Sequence, residues 1–133
     1  MQPLRITLAT CLMALLSACN DGSMLYETYD TIGQAEADGA FSRGWFPEWM
    51  PRDAINIHEY HDLDTNSQAI SFEVSEPSSF RWPSICNPTI NARRPNLKTR
   101  QFPVAVNKLD DIQECGEFFA VKDKDGLIHM WRR

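Results

Sequence analysis

Five side chains of metal-binding type occupy seven consecutive positions: His58, Glu59, His61, Asp62 and Asp64. A zinc peptidase helix places two histidines four residues apart on one face, with a glutamate between them as the general base. Here the histidines are three apart in a segment of alternating polarity, so their side chains would point to opposite faces of a strand. The spacing therefore argues against zinc hydrolysis.

The following turn has the carboxylates of a calcium loop without its architecture. Asp62, Asp64 and Asn66 fall at loop positions one, three and five, and Glu73 falls at position twelve. A calcium loop needs glycine at position six, where this chain has Ser67, and it needs helices on both sides. We therefore predict a polar hairpin turn and no metal site.

Covalent catalysis has no visible motif. The chain contains no GxSxG nucleophile elbow, and no serine, histidine and aspartate spacing stands out. We predict a non-enzymatic protein with no catalytic residue and no cofactor.

The amino-terminal region carries an export pattern. Arg5 is its only charge, and the apolar run 6–16 is too short to span a membrane. The run ends in Leu16-Ser17-Ala18-Cys19, which resembles the lipobox of bacterial lipoproteins. The resemblance implies a signal peptide over 1–18 and acylation of Cys19 with palmitate-type chains. The alternative is an uncleaved buried helix.

The remaining cysteines, Cys86 and Cys115, are an even pair if Cys11 is removed and Cys19 is acylated. An oxidising compartment favours their pairing. A metal pair or two free thiols are the alternatives, but no CxxC spacing or nearby histidine supports zinc. We predict a disulfide that closes a 30-residue loop.

The predicted mature chain is short and acidic. It has 115 of the 133 residues, and loss of Arg5 changes the formal charge from −5 to −6. That charge disfavours nucleic acid, whose phosphates need neutralising. We expect a lipidated tether over 19–30 and a single globular domain over 31–133. Lipoproteins with Asp after the cysteine favour the inner membrane; Asn20 favours an outer-membrane anchor facing the periplasm.

Two hairpins and one helix are predicted. Thr31 and Gln34 fit a capping box that opens a short helix. Segments 54–61 and 68–74 alternate in polarity, with Ile55 and Ile57 on one face of the first and Ser71 outward in the second.

Segments 118–122 and 127–131 flank a turn in which Gly126 takes positive φ. Segment 77–109, with five prolines, should be mostly loop, with one short strand near 102–106. The expected fold is α+β: a short N-terminal helix packed on a small, mainly antiparallel sheet of two hairpins, with four or five strands in all.

An aromatic loop, Gly44–Pro51, places Trp45, Phe46 and Trp49 around two prolines. Proline denies this stretch a regular helix or central strand. The aromatic side chains can fill one edge of a small core or anchor a partner. We favour the core, with Trp45 buried, and keep these three residues as candidate partner-binding residues.

Charge is unevenly distributed along the chain. Residues 20–76 carry 12 acids and two bases, whereas 77–109, the basic segment, carries six bases and no acid. Such a run is either solvated or meets an anionic envelope polymer or phospholipid head groups.

The stretch 44–72, containing GWFPEWMP, AINIHEYHDLDTN and SFE, resembles small bacterial lipoproteins that have no assigned activity. The resemblance supports the envelope location alone. We predict a lipid-anchored periplasmic binding or structural module, whose partner is a protein or an anionic envelope polymer. The alternative is an inhibitor of a cationic envelope enzyme such as lysozyme, toward which the acidic charge would steer it.

Overall fold

The structure, a computed structural model, describes residues 23–97 and 99–133. These residues form seven strands, one α-helix and one 3₁₀ turn: β1 Met24–Thr31, α1 Ile32–Ala37, β2 Ala54–Asp62, β3 Ser67–Val74, β4 Cys86–Pro88, the 3₁₀ turn Val106–Lys108, β5 Gln113–Cys115, β6 Phe118–Lys122 and β7 Ile128–Arg132. The strands make a single antiparallel sheet in the order β1-β2-β3-β7-β6-β5-β4.

The predicted α+β fold with four or five strands is wrong. Both predicted hairpins, β2–β3 and β6–β7, are present, but β3 pairs with β7, which joins them into one sheet. Three further strands extend that sheet at its two edges. Because β4 and β5 have three residues each, they are too short to show an alternating pattern in the sequence.

The predicted tether is also too long. Residues 24–31 form the edge strand β1, which pairs with β2 from Met24 opposite Asp62 to Thr31 opposite Ile55. Polar and acidic residues on the exposed side of this strand concealed it in the sequence. The folded part therefore begins before residue 30, while Cys19 and the rest of the predicted tether lie outside the described residues.

A β-bulge in β2 overturns the predicted facing of its isoleucines. The register shifts between Ile55 and His58, and Asn56 has a φ of 49°. A bulge adds one residue to one strand, so it reverses the alternation beyond it. Ile57 is consequently buried and Ile55 only half-buried. Ser71 is buried rather than outward, because the central strand β3 is covered on both faces.

The first face of the sheet carries Ile57, Ile70 and Met130, and it is covered by α1 and the aromatic loop. Thr31 caps α1 by accepting the backbone N–H of Gln34 at 3.3 Å, as the sequence predicts. Phe46 is 2% exposed and fills the centre of this cover.

The second face carries Ala69 and Trp131, and the basic segment covers it with half-buried side chains and the buried Val106. The strand expected near 102–106 is absent from this described stretch. Ala105 takes a left-handed φ of 61° and a 3₁₀ turn follows, so the chain bends where a strand would run straight.

The predicted disulfide is present between Cys86 and Cys115, with an S–S distance of 2.06 Å. It joins the facing residues of β4 and β5 at one edge of the sheet. Gly126 takes its predicted positive φ, 89°, in the β6–β7 turn. Among the described residues, no helix has the length and apolar composition to cross a membrane.

Candidate binding surfaces

A row of side chains crosses the second face of the sheet. Cross-strand pairing places Tyr26 beside Tyr60, Tyr60 beside Ala69, and Ala69 beside Trp131. The basic segment lies over the Trp131 end, where Phe102 packs edge-on against the indole. The other end is open, and Tyr26 is 50% exposed. An aromatic surface is therefore accessible at the β1 edge.

The open end of this row is a hydrogen-bonded cluster, the tyrosine platform, made of Tyr26, His58, Tyr60 and Gln101. The two tyrosine rings lie 4.6 Å apart, tilted by 32°. The Tyr26 hydroxyl is 2.8 Å from Nδ1 of His58, and the Tyr60 hydroxyl donates to Oε1 of Gln101 at 2.7 Å. Burial, reinforced by Tyr26, raises the pKa of Tyr60 above its ordinary value, so Tyr60 stays a neutral donor.

Next to the platform, the basic segment presents Arg93, Arg94, Arg100 and Lys108 as exposed side chains. None of them forms a salt bridge with another described residue. Residues 94–97, 99 and 102–107 also line a groove of about 540 Å³ with a mixed polar and apolar wall. The surface therefore combines uncompensated positive charge with a concave shape.

The aromatic loop is mainly a structural cover. Phe46 is buried, while Trp45 and Trp49 are half-buried at its margin. The Trp45 ring lies edge-on to His61 at 5.2 Å, and the guanidinium of Arg43 covers it at 4.0 Å. Trp45, predicted to be buried in the core, packs against the core but is only half-buried, and Phe46 is the buried member of the loop. Trp45, Phe46 and Trp49 as partner-binding residues stay a prediction.

A buried polar cluster lies beneath that loop on the first face. The Glu59 side chain is 1% exposed and accepts a hydrogen bond from Nε2 of Gln68. Its other oxygen and Nδ1 of His61 have no partner among the described residues, although Nδ1 lies 3.5 Å from the Glu59 carboxylate. Burial raises the pKa of Glu59 to about 7, against the hydrogen bond from Gln68 that lowers it.

The second face buries a serine, a histidine and an aspartate in one chain of contacts. Ser71 Oγ lies 3.1 Å from Nδ1 of His129, whose Nε2 lies 2.8 Å from Asp123. This set is not visible in the sequence, because 58 residues separate Ser71 from His129. Burial lowers the pKa of His129, so the neutral ring can donate to Asp123 and accept from Ser71.

These three residues do not form an open nucleophilic site. Ser71 is 2% exposed and His129 is fully buried, with Phe102 lying over its ring at 5.0 Å. Asp123 also accepts the backbone N–H groups of Asp125 and Leu127. The set therefore anchors the β6–β7 turn to the centre of the sheet.

The five metal-type residues of the sequence do not converge. His58 belongs to the tyrosine platform on the second face, whereas Glu59 and His61 point toward the first. Asp62 accepts the backbone N–H groups of Asp64 and Thr65, so its carboxylate organises the turn. Across the described parts of the chain, no three histidine, cysteine, aspartate or glutamate side chains are grouped to hold a metal ion.

Comparison with known families gives one match. Residues 24–73 match the model of the YbbD head domain. The match covers β1, α1, β2 and β3, and it contains Tyr26, His58 and Tyr60. It supports the similarity of this chain to a small bacterial envelope-type protein. No curated protein and no solved structure matches the chain significantly.

Two signals could have revealed the tyrosine platform from sequence. Tyr26 and Tyr60 both belong to alternating segments, and each lies two residues from another polar or aromatic side chain on the same face. The missing information was the pairing of β1 with β2, which the tether interpretation of residues 19–30 concealed. Gln101 could not have been found, because it approaches from an irregular segment 41 residues away from Tyr60.

Proposed function

We propose that this chain is a lipid-anchored, non-enzymatic envelope module that binds an anionic envelope polymer through the basic segment. The lipobox supports the anchor at Cys19, and because Asn20 rather than Asp follows the cysteine, we propose that the anchor is in the outer membrane and faces the periplasm. The observation that carries the binding proposal is the set of exposed bases that lack ion-pair partners among the described residues. A charged surface that the fold does not neutralise favours an external anion.

The acidic remainder of the molecule makes this surface selective. Most bases elsewhere in the described chain are paired with carboxylates, as Arg43 is with Asp38 and Arg132 with Glu117, while Lys122 lies over the Phe80 ring. A polyanion would be repelled by the acid-rich stretch 20–76 and attracted to the basic segment, which fixes its position on the surface. Because β1 begins at Met24, only four residues separate it from Cys19, so the domain would lie close to the membrane.

Binding of linear polyphosphate to the full-length processed protein in detergent tests the charge component. The double variant Arg93→Ala/Arg94→Ala should weaken binding by roughly thirtyfold, at about 1 kcal/mol for each base near an anionic surface. Affinity should fall steeply with salt. Lys124→Ala is the matched control, because Lys124 is an exposed base paired with Asp125 outside the basic segment. Equal affinity in wild type and the double variant would contradict the proposal.

The anchor has a separate test. Labelling cells with a fatty acid should mark the wild-type protein, and Cys19→Ala should abolish the label and release the protein from the membrane fraction. A labelled Cys19→Ala protein would exclude this anchor. The inhibitor alternative stays a prediction, which an activity assay of a basic lysozyme with the same preparation would test.

A further inference from the structure

We infer that the tyrosine platform binds a sugar ring, so that the polymer held on the basic segment is an anionic glycan. This inference deepens the proposed function and rests on it for the charge of the polymer. The sugar-binding part rests on the platform alone, which has its own geometry and its own test.

The platform offers an aromatic face with a rigid backing. Tyr26 is 50% exposed, although it is a large ring at the centre of the β1–β2 pairing. Tyr60 supports it from the neighbouring strand at 4.6 Å. The electron-rich face of an aromatic ring attracts groups with partial positive charge, and the C–H groups on the face of a pyranose ring are such groups. A flat sugar face therefore suits this surface better than a phosphate does.

The rim of the platform supplies oriented hydrogen-bonding groups. Oε1 of Gln101 accepts from Tyr60, and Nε2 of Gln101 lies 3.5 Å from Nδ1 of His58. The planar amide and imidazole are therefore held in place before a ligand arrives. Fixed polar groups beside an apolar surface are what orients a ligand in a binding site. Sugar hydroxyls, which both donate and accept, can use such groups without further ordering of the protein.

The platform is continuous with the positive surface. Arg100 is exposed and directly precedes Gln101, whose side chain accepts the hydrogen bond from Tyr60, so the basic segment adjoins the platform. The row from Tyr26 to Trp131 crosses three strand spacings, about 14 Å. At its far end the indole N–H of Trp131 donates to the carbonyl oxygen of Arg93 at 2.8 Å. An extended polymer that leaves the platform in this direction would run over the basic segment, which covers the buried end of the row, and would meet the exposed side chain of Arg93 there.

The carboxylates near the platform do not block this path. Glu27, the acid next to Tyr26 in β1, pairs in register with Glu59 and belongs to the first face. Asp62 shares the second face with Tyr60, but two backbone N–H groups of its turn donate to its Oδ1 and offset part of its charge. An anionic glycan therefore approaches from the side of Arg100.

The test compares three probes on the full-length processed protein in detergent by calorimetry: a neutral oligomer of N-acetylglucosamine, a polyuronate, and linear polyphosphate of matched charge. Tyr26→Ala should weaken binding of both glycans at least tenfold and leave polyphosphate binding unchanged. Met24→Ala is the matched control, because Met24 is 45% exposed on the same strand and lies outside the hydrogen-bonded cluster. Gln101→Ala should also weaken glycan binding. It replaces Tyr26→Ala as the test variant if Tyr26→Ala lowers the melting temperature.

The outcomes distinguish the sugar site from the proposed function. Glycan affinities that are unchanged in Tyr26→Ala and Gln101→Ala overturn the sugar site, and polyphosphate binding that depends on Arg93 and Arg94 would still uphold the proposed function. A neutral oligomer that binds only when Tyr26 is present, with no binding of either polyanion, would uphold the sugar site and overturn the anionic polymer. Failure of all three probes to bind wild type overturns both.

Discussion

The two faces of the sheet are covered by different segments of the chain, and the two covers differ in how deeply their side chains are buried. The first face is covered by α1 and the aromatic loop, whose Phe46 and Met50 are each 2% exposed. The second face is covered by the basic segment, where most apolar side chains are only half-buried and Ile90 and Val104 are almost fully exposed. The first cover completes a core, whereas the second leaves much of its surface available for contacts.

The faces also bury groups of opposite charge type. Glu59 lies beneath the first cover with a raised pKa, and His129 lies beneath the second with a lowered pKa. Burial disfavours the charged form in both cases. The contribution of Glu59 to the free energy of unfolding should therefore decrease as pH rises. The contribution of His129 should decrease as pH falls.

The largest expected loss of stability distinguishes the aromatic side chains of the first cover from those of the second. Phe46→Ala should lower the free energy of unfolding by about 3–5 kcal/mol, because a fully buried ring leaves a cavity. Phe102→Ala, the half-buried aromatic of the second cover, should lose less than half as much. Trp45→Ala should also cost less than Phe46→Ala, since Trp45 is half-buried. Denaturant unfolding of the three variants measures this, and equal losses for Phe46 and Phe102 would contradict the contrast between the covers.

The disulfide should matter mainly to the second cover. Replacing both Cys86 and Cys115 by serine should cost about 3.5 kcal/mol by the entropy of the loop that the bond closes. Because residues 87–109 of the basic segment lie between these cysteines, limited proteolysis should cut there first in the variant. Hydrogen exchange in β2 and β3 should stay slow under native conditions. First cleavage within 32–53 would show that the bond stabilises the other face instead.

The protonation of Glu59 predicts how stability depends on pH through the first face. Its pKa rises from 4.5 to about 7 on folding, so the folded state binds the proton more tightly. The contribution of Glu59 to the free energy of unfolding should therefore be complete below pH 4.5 and fall by about 3 kcal/mol as pH rises to 7. Glu59→Gln should remove this decline. Chemical denaturation at pH 5, 6, 7 and 8 tests it, and an unchanged decline in the variant would assign the effect to another group.

The smallest expected change in the free energy of unfolding comes from the protonation of His129. Burial lowers its pKa below the ordinary 6.5, so the unfolded chain takes up this proton first as pH falls. The free energy of unfolding should decrease below pH 6.5, a trend that Glu59 masks in the wild type. Glu59→Gln should therefore show a decline between pH 6.5 and 5, and adding His129→Gln should flatten it. A decline that persists in the double variant would exclude His129 as its source.

Local features were predictable where a short range of sequence contains the whole cause. Thr31 caps α1 with a residue three positions on, and Gly126 completes a turn whose two strands are adjacent in the chain. The disulfide followed from the number of cysteines and the expected compartment. The bulge at Asn56 was not predictable, because its cause lies in the match between β2 and its neighbour rather than in β2 alone.

The sequence by itself determined the two hairpins, the cap of α1, the pairing of Cys86 with Cys115 and the uneven charge of the chain. Only the tertiary structure decided that β3 joins β7, that residues 24–31 form an edge strand, and that Gln101 meets Tyr60. The physical reason is the distance along the chain over which each interaction acts. Capping, turn geometry and alternation act over a few residues, whereas strand order and the contacts of irregular segments depend on which distant surfaces bury each other.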